Sequence, residues 1–302
     1  MSSRKQRARD IQTPQESNSF QETNAGLLDS RYQFASLMTL AYTLVTQSST
    51  YGPITGVFAL AGIGLSLYKK VWFWPAMFVA VLAKFFVGAV FSLDNHSWLY
   101  MYWILTLAIY SLVQPAIKQL QLTARLLIGF SFMFATAWKV LSPEFRSGAF
   151  FTYAGATEPR FTGILEALGL QQIGTGDTNL ARVRQWSEQN PPVAFDLINN
   201  ASLNNFWMAL TIATIIIEAL VAIAFIAPLV AKQHWWRDVV LAGFCIGTYT
   251  LMPVLGYGHL LCIMGYTQSN LEEKKRRTLY IGIMVFVQAM IMRDTVVSGL
   301  AG

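Results

Sequence analysis

Charge is scarce in this sequence. Only 13% of its 302 residues are Asp, Glu, Lys or Arg, against 54% hydrophobic and 14% aromatic, a balance that excludes an ordinary water-soluble domain of this length. Cysteine is nearly absent too. Cys245 and Cys262 both lie inside apolar stretches, which excludes a disulfide framework and reads them as buried free thiols. Three histidines, with no carboxylate or thiol at ligand spacing, leave no basis for a metal site. No signal peptide is evident, because residues 1–30 are polar, with Arg4, Lys5, Arg7 and Arg9 and no apolar core. They read as a disordered cytosolic tail. Phosphate loops and nucleophile elbows are missing as well: "GTGDTN" has neither the strand–turn–helix setting nor the lysine. No 20–50-residue self-similarity marks a repeat architecture.

What is present is a series of apolar runs, at 32–48, 53–68, 72–92, 97–114, 122–141, 205–231, 238–265 and 278–297. In lipid the backbone must be satisfied within helices or a closed barrel, and continuous rather than alternating runs select helices. The expectation is an all-α, polytopic transmembrane helical bundle of about eight helices, with 31–302 as one transmembrane domain. The first two runs are short, and "TQSSTYGP" between them marks either a tight turn or a partial insertion.

Lys and Arg set the orientation. The N-terminal tail, Lys69–Lys70, Lys118 with Arg125, and Lys232 with Arg237 fall at alternate ends, which places the N-terminus in the cytosol. The longest connection, 142–203, then forms a small extracytoplasmic cap. "EEKKRR", Glu272 to Arg277, conflicts with strict alternation. Either that loop violates the positive-inside rule, or the 238–265 run, interrupted by Pro253, Gly256 and Gly258, bends back or crosses as two pieces. The net charge of +6 fits this topology and contact with anionic membrane lipid, not nucleic acid.

Charged groups at membrane depth cost about 2.5–3.5 kcal/mol on insertion scales, so each marks a candidate. Lys84 in "AVLAKFFVGA" and Glu218 in "TIIIEALVA" stand near mid-run, as a mutual salt bridge or as a proton or substrate relay. Lys84 and Asn95 are nearly eclipsed if one helix continues through both. Arg125, Lys139 and Arg293 lie near run ends, where snorkelling competes with function. His259, in "GYGHLLCIMG", joins Lys84 and Glu218 as a relay candidate, although a lone helical His is more often a hydrogen-bonded interior residue.

The stretch "LDNHSWLYMYW" sets Asp94, Asn95 and His96 at the start of an aromatic run, as a turn or as the mouth of a site. Asn95-His96-Ser97-Trp98-Leu99-Tyr100 resembles the Asn-His-Ser-Tyr-Leu-Tyr segment of vitamin K-dependent gamma-carboxylase and the wider HTTM family of carboxylase-like membrane proteins. "KVLSPEFRSG", Lys139 to Gly148, is similar to that family's lysine segment at a helix exit. The resemblance covers about twenty residues. It implies quinone-linked or carboxylase-like (lyase) chemistry at the extracytoplasmic face, with a reduced quinone as cofactor and Lys139, His96 and Asn95 as catalytic candidates. A lysine against apolar walls sheds its charge more readily and can act as a base. Aligned without a gap, the family's base falls at Val140, with Lys139 beside it.

Two other classes stand beside the enzyme. One is a non-catalytic maturation, assembly or immunity factor of the same fold, with a peptide or protein partner, for which Val140 is the natural explanation. The other is a transporter, with Lys84, Glu218 and His259 lining a polar path, though no inverted repeat supports it.

Overall fold

The computed structural model describes residues 29–46, 52–87, 95–158, 161, 165–188, 197–227, 234–252, 254–270 and 272–300. Among these the fold is all-α. In chain order the helices are α1 (Ser30–Thr46), α2 (Gly52–Gly64), α3 (Phe73–Val87), α4 (Asn95–Val113), α5 (Ile117–Leu141), α6 (Pro143–Arg146), α7 (Ala149–Thr157), α8 (Thr175–Glu188), α9 (Ala201–Ile226), α10 (His234–Leu251), α11 (Tyr257–Gln268) and α12 (Lys274–Leu300).

Tertiary hydrogen bonds show which helix ends lie together. At one end Tyr32 donates to the carbonyl of Tyr68 (3.1 Å), Ser111 to that of Val71 (3.2 Å) and Gln121 to those of Gln268 and Ser269 (both 3.2 Å), while Arg276 pairs with Asp238. At the other end the hydroxyls of Thr43 and Tyr100 meet at 2.7 Å, and Arg293 reaches the carbonyl of Thr250 (3.4 Å). Among the described residues nine helices therefore run between the two ends: α1 to α5 and α9 to α12. We call the first end basic, because Lys69, Lys70, Lys118, Arg125, Arg237 and the run Lys274 to Arg277 all lie there.

The 238–265 run is two helices, and this removes the charge conflict. α10 leaves the basic end and α11 returns to it, so α12 starts beside Arg237. The junction has a local cause. Pro253, itself outside the described residues, has no N–H for a helix, and Gly256 adopts φ +90° against the ring of Tyr42. Tyr249 holds the junction, donating to the carbonyl of Val254 (2.6 Å) and accepting from the N–H of Gly258 (2.5 Å).

α11 is the axis of the bundle. All of Leu260 to Gln268 is buried, and it packs against α1, α5 and α12. The absent side chain of Gly265 is what admits the Tyr280 ring so closely. At 12 residues it spans about 18 Å, shorter than the helices around it. Those present large apolar side chains outward, including Ile54, Val57, Leu60, Phe86, Phe134, Ile212, Ile216, Ile246 and Val285. α5 and α9 are long and apolar enough to cross a membrane, and only 28% and 33% of their most apolar stretches are buried, the opposite of a soluble protein's core helix.

Beyond α5 the chain forms a second apolar cluster at the far end, where Phe145, Phe151, Phe161, Leu165 and Leu203 gather about Trp207. Ser142 caps α6 by accepting from the N–H of Phe145 (3.2 Å), and Asn200 caps α9 by accepting from that of Leu203 (2.8 Å). Asn179 of α8 ties down the approach to α9, donating to the carbonyl of Ile198 (3.0 Å) and accepting from its N–H (2.8 Å).

Candidate functional site

The most extensive helix packing in the molecule is α5 against α9, and it brings Lys139 to Glu218. Lys139 Nζ lies 2.5 Å from Oε1 and 2.6 Å from Oε2 of the carboxylate. The side chains are only 20% and 7% exposed. Lys139 therefore turns inward and does not snorkel. Its Nζ also stands 5.4 Å from the centroid of the Phe145 ring, so the capped turn that starts α6 supplies one wall of the site.

Val140 follows Lys139 by about 100° around the helix and faces outward, 46% exposed. In this bundle Val140, where a gapless match to the resembling segment would put a base, points away from the interior, and the neighbouring Lys139 points into it. Lys139 engages both carboxylate oxygens of Glu218. The side chain of Lys84, and with it the salt bridge to Glu218 that is one of the two alternatives for that pair, lies outside the described residues; the Lys84 backbone stands three residues before the described end of α3. One helix does not continue from Lys84 to Asn95: α3 and α4 are separate elements that pack side by side.

Asn95 and His96 open α4, at the same end of the bundle as Lys139. The side chain of Asn95, and Asp94 altogether, fall outside the described residues; His96 is half-buried. The aromatic residues that follow have packing roles. Tyr100 meets Thr43 at 2.7 Å and Trp103 donates to Thr39 Oγ1 at 2.8 Å, stitching α4 to α1. The three catalytic candidates thus share one end, and Glu218 is the residue the structure adds to Lys139.

Two more polar groups sit on opposite faces of α11. Tyr257 lies beside Ser131 of α5 and within electrostatic reach of Glu218, while His259 lies beside Gln288 of α12. The relay candidates Glu218 and His259 therefore face different neighbours. Tyr257 is not marked in the sequence, because it falls inside the 238–265 run and carries no charge that would single it out.

Chemically, a lysine and a carboxylate in apolar surroundings share one proton between two states, ammonium–carboxylate and amine–carboxylic acid. The second carries no charge and avoids desolvating two ions. Such a pair can accept or release a proton at Nζ with little rearrangement. The cap contributes a cavity of about 10 Å³, lined by Thr152, Gln171, Asn179 and Trp207 among others, the size of one water molecule. Among the described residues no cluster of His, Cys, Asp and Glu could hold a metal ion. No known protein family, curated protein or solved structure matches the chain.

Proposed function

We propose that this is a multi-pass integral membrane protein with its basic end and N-terminus in the cytosol, and that it performs quinone-linked, carboxylase-like chemistry at the opposite, extracytoplasmic end. Three observations support the membrane placement. Apolar side chains face outward along the long helices, Lys and Arg gather at one end, and exposed Trp72 and Trp235 at that end face exposed Trp138 and Tyr153 at the other, like two interfacial belts. On this reading nine helices cross the bilayer, one more than the apolar runs count, because α10 and α11 cross separately.

The observation that carries the chemistry is the Lys139–Glu218 pair. In this reading Lys139 Nζ takes the substrate proton, Glu218 holds the lysine in place and shares that proton, and His96 and Asn95 orient the substrate at the mouth. The Phe145 ring beside Nζ offers the flat apolar wall that a quinone ring requires. A bound reduced quinone would supply the electrons for oxygen activation. The test is oxygen uptake by the protein in lipid nanodiscs with a reduced quinone. Uptake in the wild type that falls at least tenfold in Lys139→Ala, with folding intact, is the expected result; absence of uptake with naphthoquinols and benzoquinols alike refutes it.

Val140 favours a second reading, a non-catalytic maturation or assembly factor of the same fold that binds a peptide or protein partner. It expects no uptake and a partner that co-purifies with wild type and Lys139→Ala alike.

A further inference from the structure

The chain has two cysteines, on separate helices, and the fold brings them together. Tyr249 of α10 and Gly258 of α11 meet at the junction of these antiparallel helices, where the tyrosine hydroxyl accepts from the Gly258 N–H (2.5 Å) and a Cβ on Gly258 would strike the ring. Helical positions four residues apart share a face. One turn back along α10 from Tyr249 is Cys245, and one turn on along α11 from Gly258 is Cys262. The register therefore sets the two side chains against each other, and Cys262 lies beside Cys245. Both are free thiols, 0% and 1% exposed.

Burial closes the pair to thiols in water and to other copies of the chain, so each sulfur has the other as its partner. Loss of a hydrogen from each would join α10 to α11 and close a loop of about seventeen residues, which removes freedom from the unfolded chain. Tyr257, at the start of α11, has both Cys245 and Glu218 among its ionisable neighbours. The thiol pair therefore adjoins the Lys139–Glu218 site. An oxidant suited to a pair held out of water is apolar and takes two electrons with two protons, as a quinone does.

We infer that Cys245 and Cys262 are a dithiol–disulfide couple, oxidised by a quinone to a bond that locks α10 to α11. In this step both S–H bonds break, one S–S bond forms, and the two electrons and two protons released convert the quinone to a quinol. The choice of a quinone rests on the function proposed above; the couple itself does not. Access comes by local opening at the junction, where Gly256 (φ +90°) breaks the helical path and the Tyr249 hydroxyl holds the two sides together.

The test uses the full chain in lipid nanodiscs, reduced with a phosphine that is then removed, and kept free of oxygen. One arm receives duroquinone, whose fully substituted ring does not add thiols, and the other diamide, a thiol oxidant that is not a quinone. Free thiols are counted by maleimide labelling after denaturation, and linked peptides are identified by mass spectrometry. With duroquinone, both thiols are expected to disappear together as an equal amount of a peptide joining Cys245 to Cys262 and of quinol forms, and Tm to rise by about 5 °C or more. Cys245→Ala should leave Cys262 free in both arms, and Tyr249→Phe should lose its thiols about fivefold faster or more. Thiols that persist in both arms overturn the inference, as do disulfides between chains or an oxidised protein with an unchanged Tm. Thiol loss in diamide alone overturns the quinone as oxidant, and a Tyr249→Phe rate equal to that of wild type overturns entry at the junction. Should Cys245→Ala fail to fold, the peptide map of the wild type decides the pairing. A Cys245–Cys262 bond formed by duroquinone in a protein that takes up no oxygen with reduced quinones supports the couple and refutes the carboxylase-like reading alone.

Discussion

Removing one member of the Lys139–Glu218 pair should cost far more than removing both. Lys139→Met leaves Glu218, only 7% exposed, as an uncompensated buried carboxyl, and losses of about 3–5 kcal/mol are typical for breaking such a pair. Glu218→Gln strands Lys139 instead. That side chain is 20% exposed and sits in the last turn of α5, so it can swing toward the helix end, and the expected loss is smaller, about 1–3 kcal/mol. The double variant leaves no charge to desolvate and should fall within about 1 kcal/mol of wild type. The cycle therefore has a coupling of about 3–8 kcal/mol, the summed single losses of about 4–8 kcal/mol less the double variant's loss of at most about 1 kcal/mol. Thermal unfolding of the detergent-solubilised protein reads it, at roughly 2–4 °C per kcal/mol for a chain of moderate size. Single-variant losses that add in the double variant to within about 0.5 kcal/mol would show that the two groups do not interact. The pair would then be an accident of proximity and no basis for proton transfer.

Gly265→Ala should destabilise by about 1–3 kcal/mol, since a Cβ there meets the Tyr280 ring, while Gly243→Ala, with open space around it, should be neutral in the same thermal assay. Tyr249→Phe removes the hydroxyl that binds the α10–α11 junction at two points; the buried N–H of Gly258 loses its acceptor, and a drop of about 1–3 kcal/mol is expected. Asp29 caps α1 and pairs with Arg31 (2.8 Å); burial opposes its charge, but the hydrogen bonds from Arg31 outweigh burial and hold the carboxyl below its ordinary range. Its contribution is therefore full above the unfolded carboxyl value of about 3.9 and lost as pH falls through the lower folded value, so Asp29→Asn should flatten the Tm-against-pH profile in that acid window. For topology, Ile173→Cys, 91% exposed in wild type, should react with an impermeant maleimide only from outside the cell and Lys275→Cys only from the cytosolic side; the reverse pattern inverts the bundle.

Helix positions were legible because apolar runs of this length read the same in any helical bundle. The starts of α1, α4 and α5 fall within a few residues of the apolar runs that announce them. The division of 238–265 was only half legible. Pro253, Gly256 and Gly258 mark a break, but a break alone does not distinguish a kink from a reversal. That choice is made by tertiary contacts, with Tyr249 closing the junction and Asp238 holding Arg276. The misfit of "EEKKRR" with strict alternation was the stronger sequence signal, because charge at a helix end reports which side that end is on. It leaves two readings open, a loop that violates the rule or an additional reversal, and the reversal is what α10 and α11 make.

The candidate site was less legible, for a geometric reason. Lys139 and Glu218 are 79 residues apart in sequence, and which carboxylate meets which lysine depends on the register of α5 against α9, which hydropathy does not encode. The cost of charge in lipid marks both residues in the sequence, Glu218 as a salt bridge to Lys84 or a relay and Lys139 as a snorkelling group or a catalytic candidate, but it does not join one to the other. The same cost explains why they meet. A buried carboxylate selects an inward-facing cation, and α5 offers one at Lys139, while Val140 faces out. A single residue of helical phase, about 100°, decides whether this bundle contains a buried lysine–carboxylate pair, and a one-residue shift of the lysine reverses that conclusion. Moving the lysine by one position tests the point. Lys139→Val combined with Val140→Lys keeps composition and hydropathy but turns the amine toward the exposed face, so it should destabilise nearly as much as Lys139→Met alone. A swapped protein as stable as wild type would mean that Glu218 does not need its cation at this phase.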